Sequence, residues 1–569
     1  MKTKASITFG LVDVTAKEDS TITVNDKQNF VDIMDLKKDN IEEIKYGTCE
    51  KNQFALNGTF QLMPDYEQLE NMCWWSNKMS NEKGEFDTPL VMEINFTEAH
   101  SSLGITLIFS SANDYCSKLN LKYYDINDNL LSDSDYYPTN YYTICNNICE
   151  NYHKIVITFY STNNPYRYLK LYKILYGAEK VFEGDSLMSA KLLEETSLIS
   201  DELTINTLDF TLFSENDEFN IVNPQGFYRL LQQRQRLNVK ETLLKENKEK
   251  DMGVYYLNSW KNKEDKIMEM SATDIIGVLD KTSFNGGMYK KIKFKDLIKE
   301  ILESARLYND EYSIEDSLKN IELTGYIPIC SHREALQQAV FAVGAIVNST
   351  RGSVIKMYPL NTEAEIVNTM DKTNVWQNTK KFTQMDIVTG VEVTAHEYVA
   401  DTEETKLYEA NLKAGNSKVV FNEPVASMTC EGGTVIESNC NYAIIYCSKD
   451  SNVVISGYKY KDNMQTYLVE IKNLDPTLKQ NTLKVESGYL IDRNNAEEVG
   501  ARILAYYEKT YKTEYTNVLK NEELSNCVDV EGYAGQKLKG VITKQDIDLT
   551  GGFISDTEII AKIKEGEDG

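Results

Sequence analysis

The sequence predicts a multi-domain protein, mainly β with some α. Two observations carry that prediction. Tyr outnumbers Phe 36 to 19, and aromatic residues of this kind fit the pleated, half-buried surface of a sheet. Many segments also alternate apolar with polar residues, the two-residue period of a strand with one face covered. The chain has 569 residues, and at about 100–200 residues per domain that predicts about three to five domains. Gly at 29 and Pro at 9 are both sparse, which argues against collagen and against long Pro/Gly-rich linkers.

The region from about residue 1 to 177 reads as a sandwich of short strands. Candidates are Leu90 to Phe96, Leu103 to Phe109, Leu119 to Tyr124, Lys154 to Tyr160 and Tyr168 to Ile174. Turn clusters such as Asp125-Ile126-Asn127-Asp128-Asn129 separate them. No helix is expected there.

From 178 to 285 the pattern suggests a small barrel. Leu208-Asp209-Phe210-Thr211-Leu212 alternates, Ser214 to Asp217 is a polar turn, Phe227 to Leu231 is a short helical stretch, and Gly253 to Leu257 is a strand. Helices enter at about 286–372. Phe294, Leu297, Ile298, Ile301 and Leu302 recur at helical spacing. Ser331-His332-Arg333-Glu334 is a capping box, in which the Ser hydroxyl and the Glu carboxylate satisfy each other's backbone N–H groups. Behind it Leu336, Ala339, Val340, Val343 and Val347 share a face. From 373 onward strands return, with one more amphipathic helix over Asn495 to Tyr507. No repeat of fixed period is present.

Composition excludes several functions. The formal net charge is −26; a protein that grips phosphates through counterion release needs a basic face instead. The main basic cluster, Lys290, Lys291, Lys293 and Lys295, reads as a solvated face. The longest apolar run, Ala339 to Val347, is far short of the ~20 residues that span a bilayer, so no membrane insertion is expected. The basic N-terminus lacks the apolar stretch of a secretory signal. The ten cysteines show no C-x-x-C and no zinc-type spacing with histidine, so reduced thiols and no metal are expected.

Catalytic signatures are missing too. The four histidines, His100, His153, His332 and His396, fall in no H-E-x-x-H motif, and no Ser lies in G-x-S-x-G. His332 is expected at the surface. Glu194-Glu195 and Glu403-Glu404 read as solvated faces, and nothing marks a two-carboxylate glycosidase pair. Asp125-x-Asn127-x-Asn129 opens like a calcium loop, but Leu130 and Tyr136 stand where Gly and Glu belong; a hairpin turn is expected. Gly286-Gly287 and Gly551-Gly552 read as turns. Cys73-Trp74-Trp75-Ser76 is the most unusual local sequence. Trp74 and Trp75 are candidate carbohydrate-binding residues through stacking on a sugar face; core packing or a subunit interface are the alternatives. No catalytic residue, metal or cofactor is assigned.

An ordered set of short stretches resembles the tail-hub (baseplate hub, tail-tip) proteins of phages and phage-like particles of Gram-positive bacteria. It begins with Phe182-Glu183-Gly184-Asp185-Ser186-Leu187, Glu194 to Ser197 and Ser200-Asp201-Glu202-Leu203. It continues through Asn206 to Phe210, Phe219-Asn220, Asn223-Pro224, Met252-Gly253, Tyr255 to Leu257, Trp260 and Ala272-Thr273-Asp274. Thr324-Gly325-Tyr326-Ile327-Pro328 and Arg333 to Gln338 are similar to the second hub domain. Asn495 to Val499 and Gly532-Tyr533-Ala534-Gly535 resemble the closing part. Residues 46–177 resemble a discoidin-like β-sandwich through Leu56 to Phe60, Trp74-Trp75-Ser76, Pro89-Leu90 and Ser101 to Leu107. That sandwich sits either before the first barrel or inserted in it.

The resemblance implies N-terminal strands at 1–45, the sandwich at 46–177, a first hub β-barrel at 178–285 and a small α+β hub domain at 286–372. A second hub β-barrel at 373–490 and a closing helix and strands at 491–569 follow. It implies a homotrimer forming a ring, located in the virion tail and made in the host bacterial cytoplasm. The implied partners are tail tube, distal tail and tape-measure proteins, and separate tip or fibre proteins. DNA would pass through the ring without specific nucleic-acid binding. The chain ends at Gly569, soon after the closing segment, so no cell-wall hydrolase is expected in it. The competing reading is a glycan-binding adhesin module that contacts the host surface.

Overall fold

The computed structural model describes all residues except 1, 29–30, 32, 34–35, 37–44, 52, 63–72, 111–113, 214–230, 247, 265, 309, 363, 473–476, 478, 509, 534 and 565–569. It is mostly strand with a little helix, as the sequence predicts. Ser214 to Asp217, Phe219-Asn220, Asn223-Pro224, Phe227 to Leu230 and Ala534 lie outside the described residues. No helix of the described residues is long and apolar enough to cross a membrane. The chain divides into two compact units, one of residues 8–182 and 216–235, the other of residues 1–7, 183–215 and 236–569.

The first unit contains one seven-stranded sheet. Its two longest strands, Glu85–Phe109 and Tyr142–Thr162, pair antiparallel along most of their length. The sequence predicts two strands where Glu85–Phe109 is one. The register slips at Asn95/His100, His100/Ser102 and Ser102/Gly104, and such bulges bend a strand without ending it. Leu90 to Asn95 therefore face Lys154 to Phe159, while Gly104 to Ile108 face Tyr142 to Asn146. Alternate residues Leu90, Met92 and Ile94, with Ile155, Ile157 and Phe159, enter a single apolar core. The Asp125–Asn129 hairpin is a turn as expected: the Asp125 carboxylate accepts from the backbone N–H of Asn127 and Asn129. A six-residue helix, Val14–Asp19, is an element the sequence reading missed. Asp13 caps it by accepting from the N–H groups of Thr15 and Ala16.

In the second unit, the strands expected of the first barrel and those of the closing segment belong to one large sheet. In spatial order it runs Lys381–Gln384, Tyr511–Val518, Ile554–Ile563, Lys537–Asp548, Leu187–Glu195, Thr207–Phe213, Ile267–Thr273, Lys248–Glu264 and Arg236–Leu243. Helices Ile275–Asp280, Phe294–Ser304 and His332–Val343 share an apolar core with Leu323, Ile355 and Met357. The predicted apolar stripe Phe294, Leu297, Ile298, Ile301 and Leu302 is fully buried there. The capping box forms as read: Glu334 N–H donates to the Ser331 hydroxyl at 3.1 Å, and Ser331 N–H to the Glu334 carboxylate at 3.0 Å. Helix Ala496–Tyr507 buries Val499 and Ile503 against Val391 and Val393 of the strand Gly390–Ala395. Gly551-Gly552 lie in the turn between Lys537–Asp548 and Ile554–Ile563.

Candidate functional site

Trp74 and Trp75 begin the strand Trp74–Met79 and point into the core of the first unit, at 0% and 2% exposure. The Trp74 indole N–H donates to Asp26 O at 3.0 Å, and its ring stacks on Phe159 with centroids 5.5 Å apart. Trp75 donates to Cys73 Sγ at 2.9 Å and meets Tyr46 edge-on. The Lys170 ammonium lies over its ring at 4.5 Å and is itself held by the buried Glu50 carboxylate at 2.8 Å. A sugar stacks on an aromatic face open to water. Neither indole has one here, which fits the core-packing alternative of the sequence reading.

Two expectations are corrected by burial. His332, expected at the surface, is 2% exposed. Its Nδ1 contacts the Thr282 hydroxyl and its Nε2 the Ser304 hydroxyl, each at 2.8 Å, and burial pulls its pKa down. The partners lie 50 and 28 residues away in the chain, so no local pattern reveals them. Glu194, expected on a solvated face, is 0% exposed and takes two hydrogen bonds of 2.7 Å from Arg351. Arg351 also donates to Gln545 at 3.1 Å. Burial works against the Arg351 charge, yet Glu194, with Glu523 and Tyr255, more than offsets it and the guanidinium pKa rises. His100 is likewise buried, bracketed by the Asp13 carboxylate at 3.1 Å and the Asp19 carboxylate at 3.0 Å. Lys290, Lys291, Lys293, Lys295, Glu403 and Glu404 are exposed, as read.

Several of the stretches that carry the hub resemblance, among them Ser200 to Leu203, Asn206, Asp274 and Arg333 to Gln338, lie in the second unit. Asp274 caps helix Ile275–Asp280 and accepts from Asn206 at 2.8 Å, Ser349 at 2.7 Å and Gly277 N–H at 3.1 Å. Burial pushes its carboxyl up to about 6 against those hydrogen bonds. Arg333 ties helix His332–Val343 to the segment before the strand Thr207–Phe213: it donates to Leu203 O at 2.7 Å, Glu202 at 3.1 Å and Asp280 at 3.3 Å. Gln337 donates to the carbonyls of Ser200 and Asp201. Gly325, at φ +156°, lets the backbone of Tyr489 approach so closely that a Cβ would lie 2.3 Å from its carbonyl oxygen.

A cavity of about 540 Å³ lies between helix Ala496–Tyr507 and the sheet strands Lys537–Asp548 and Ile554–Ile563. Ala501, Arg502 and Ala505 face it from the helix, Lys539 and Lys562 from the sheet. Sequence reasoning missed it, because it assembles residues from six separated segments. None of the ten cysteines is in a disulfide, and no group of three metal-ligating side chains occurs among the described residues.

No family model matches the sequence, and no curated protein does. Among solved structures, the chain is similar to a tail protein from Neisseria meningitidis MC58, at 11% identity and a TM-score of 0.42 over 68% of this chain and 94% of that one. It is similar to the 43 kDa tail protein of prophage MuSo2 from Shewanella oneidensis, at 10% identity and a TM-score of 0.40 over 67% and 95%. It is also similar to the prophage tail protein gp18 from Listeria monocytogenes EGD-e, at 11% identity and a TM-score of 0.38 over 67% and 91%.

Proposed function

We propose that the chain is a structural hub of a phage or phage-like tail. It would form a trimeric ring that joins the tail tube to the tip and lets DNA or tape measure pass. The supporting observation is what becomes of the residues behind the sequence resemblance. Ser200 to Leu203, Asn206, Asp274, Arg333 and Gln337 are knitted to one another and to their neighbours by hydrogen bonds. A hub needs a rigid scaffold, and connected polar groups such as the buried Asn206–Asp274 pair rigidify one. The net charge of −26 suits a lumen that DNA crosses without being held. Tail tube, distal tail, tape-measure and separate tip proteins would be its partners, and it would have no catalytic role.

Single-particle imaging of the purified chain tests this reading. Three-fold rings with an open centre are expected; particles without rotational symmetry at every concentration would oppose it. For the glycan-binding alternative, Trp74 and Trp75 offer no exposed ring face.

A further inference from the structure

The sequence contains two Asn-Gly pairs, Asn57-Gly58 and Asn285-Gly286, and the fold treats them differently. The backbone nitrogen that follows an asparagine is within reach of its side-chain carbonyl carbon, and a glycine there, having no Cβ, leaves the approach open. Asn57 and Gly58 lie in the exposed turn Leu56 to Thr59, and nothing stands within 4 Å of a Cβ built on Gly58. Asn57 Oδ1 accepts from the Thr59 N–H at 3.0 Å, an Asx turn that folds the side chain back over the following peptide. Among the described residues the Gly58 N–H makes no backbone hydrogen bond. Asn285-Gly286 is held on every side instead. Asn285 O accepts from Asn441 at 2.8 Å, its Oδ1 accepts from Lys418 at 2.9 Å, and Gly286 O accepts from Asn439 at 3.0 Å. Gly286 is buried, and a Cβ there would lie 2.1 Å from Ile327 O. Turning the Asn285 peptide toward its side chain would break the bond to Asn441 and drive the backbone into that carbonyl.

We propose that Asn57 is a self-modification site, with water as its only co-reactant, and that the fold protects Asn285 from the same reaction. The Gly58 nitrogen gives its proton to solvent hydroxide and bonds to Asn57 Cγ. The Cγ–Nδ2 bond breaks, and the side-chain nitrogen leaves as ammonia. Water then opens the cyclic imide at one of its two carbonyl carbons. Opening at Cγ leaves aspartate at position 57. Opening at the Asn57 backbone carbonyl carbon leaves isoaspartate, in which the chain runs on through the former side chain. One water is consumed and one ammonia released, and nothing is oxidised or reduced. Either product places a new carboxylate on the turn. Aspartate keeps an acceptor for the Thr59 N–H, whereas isoaspartate lengthens the backbone there by a methylene. The proposal does not depend on the hub reading.

The test incubates the full folded chain in mildly alkaline buffer and maps its tryptic peptides by mass spectrometry, with fragmentation to place each change. Asn57 should gain one mass unit, in two chromatographically separate products of which isoaspartate is one. In the folded chain it should react at least roughly tenfold faster than Asn285, the ratio that one hydrogen bond kept in the unreacted state supplies. In denaturant the two sites should react at similar rates, because only the fold separates them. Asn57→Gln, at an exposed position, should suppress the change at 57 by demanding a larger ring, and should leave the far-ultraviolet circular dichroism intact. Three outcomes would each overturn the proposal: Asn57 reacting no faster than Asn285 in the folded chain, aspartate as the sole product at 57, or the same rate ratio in denaturant as in the folded chain.

Discussion

Glu194 and Arg351 meet where both are shut away from water, so neither can be removed alone without leaving an unpaired buried charge. Arg351→Met should cost about 3–5 kcal/mol in chemical denaturation, and the paired Glu194→Met/Arg351→Met variant should regain most of that. Glu241 gives a pH signature of opposite character. It is fully buried, and burial raises its pKa from 4.5 to about 7 against an opposing hydrogen bond from the Thr3 side chain. The folded state thus holds the proton more tightly than the unfolded one. Its contribution to stability is complete below about pH 4.5 and is lost as pH rises through about 7, a change of about 3 kcal/mol. Glu241→Gln should flatten that slope in denaturation curves measured from pH 4 to 8; an unchanged slope would refute this assignment. Neither group was legible from the sequence. A Glu in an alternating strand carries no sign of which face it occupies until its partner arrives, and that of Glu194, Arg351, stands 157 residues on.

Elements were more legible than residues, because their signals are local. The Ser331–Glu334 box lies within four residues and forms as read; Ser331→Ala should cost about 1 kcal/mol in thermal or denaturant unfolding. The helix Phe294–Ser304 has its five apolar residues on the buried stripe, since helical spacing is a geometric consequence of sequence. What escaped were elements set by tertiary pairing. The strand Glu85–Phe109 pairs with Tyr142–Thr162 on both sides of the bulge at Asn95/His100, within which Asp19 accepts from the N–H groups of Thr97 and Glu98, and the capped helix Val14–Asp19 is too short for periodicity to show. The Trp74-Trp75 pair was conspicuous, yet its orientation is set by Phe159, Lys170 and Glu50. Trp74→Ala should cost about 3–5 kcal/mol by opening a core cavity, and Trp75→Ala should act through stability and not through glycan affinity. A glycan array on the folded Trp75→Ala variant separates the two.

At the scale of the whole molecule, the fold class followed from strand content and length, whereas the joining of the Leu187–Phe213 strands with those of Tyr511–Ile563 into one sheet did not. Pairing over more than 300 residues leaves no local trace. The central claim is that copies of this chain assemble into a three-fold ring. Light scattering on the purified protein over a range of concentrations measures this most directly. The account predicts a mass near three times the 65.0 kDa of one chain. A mass of one chain at every concentration would contradict it.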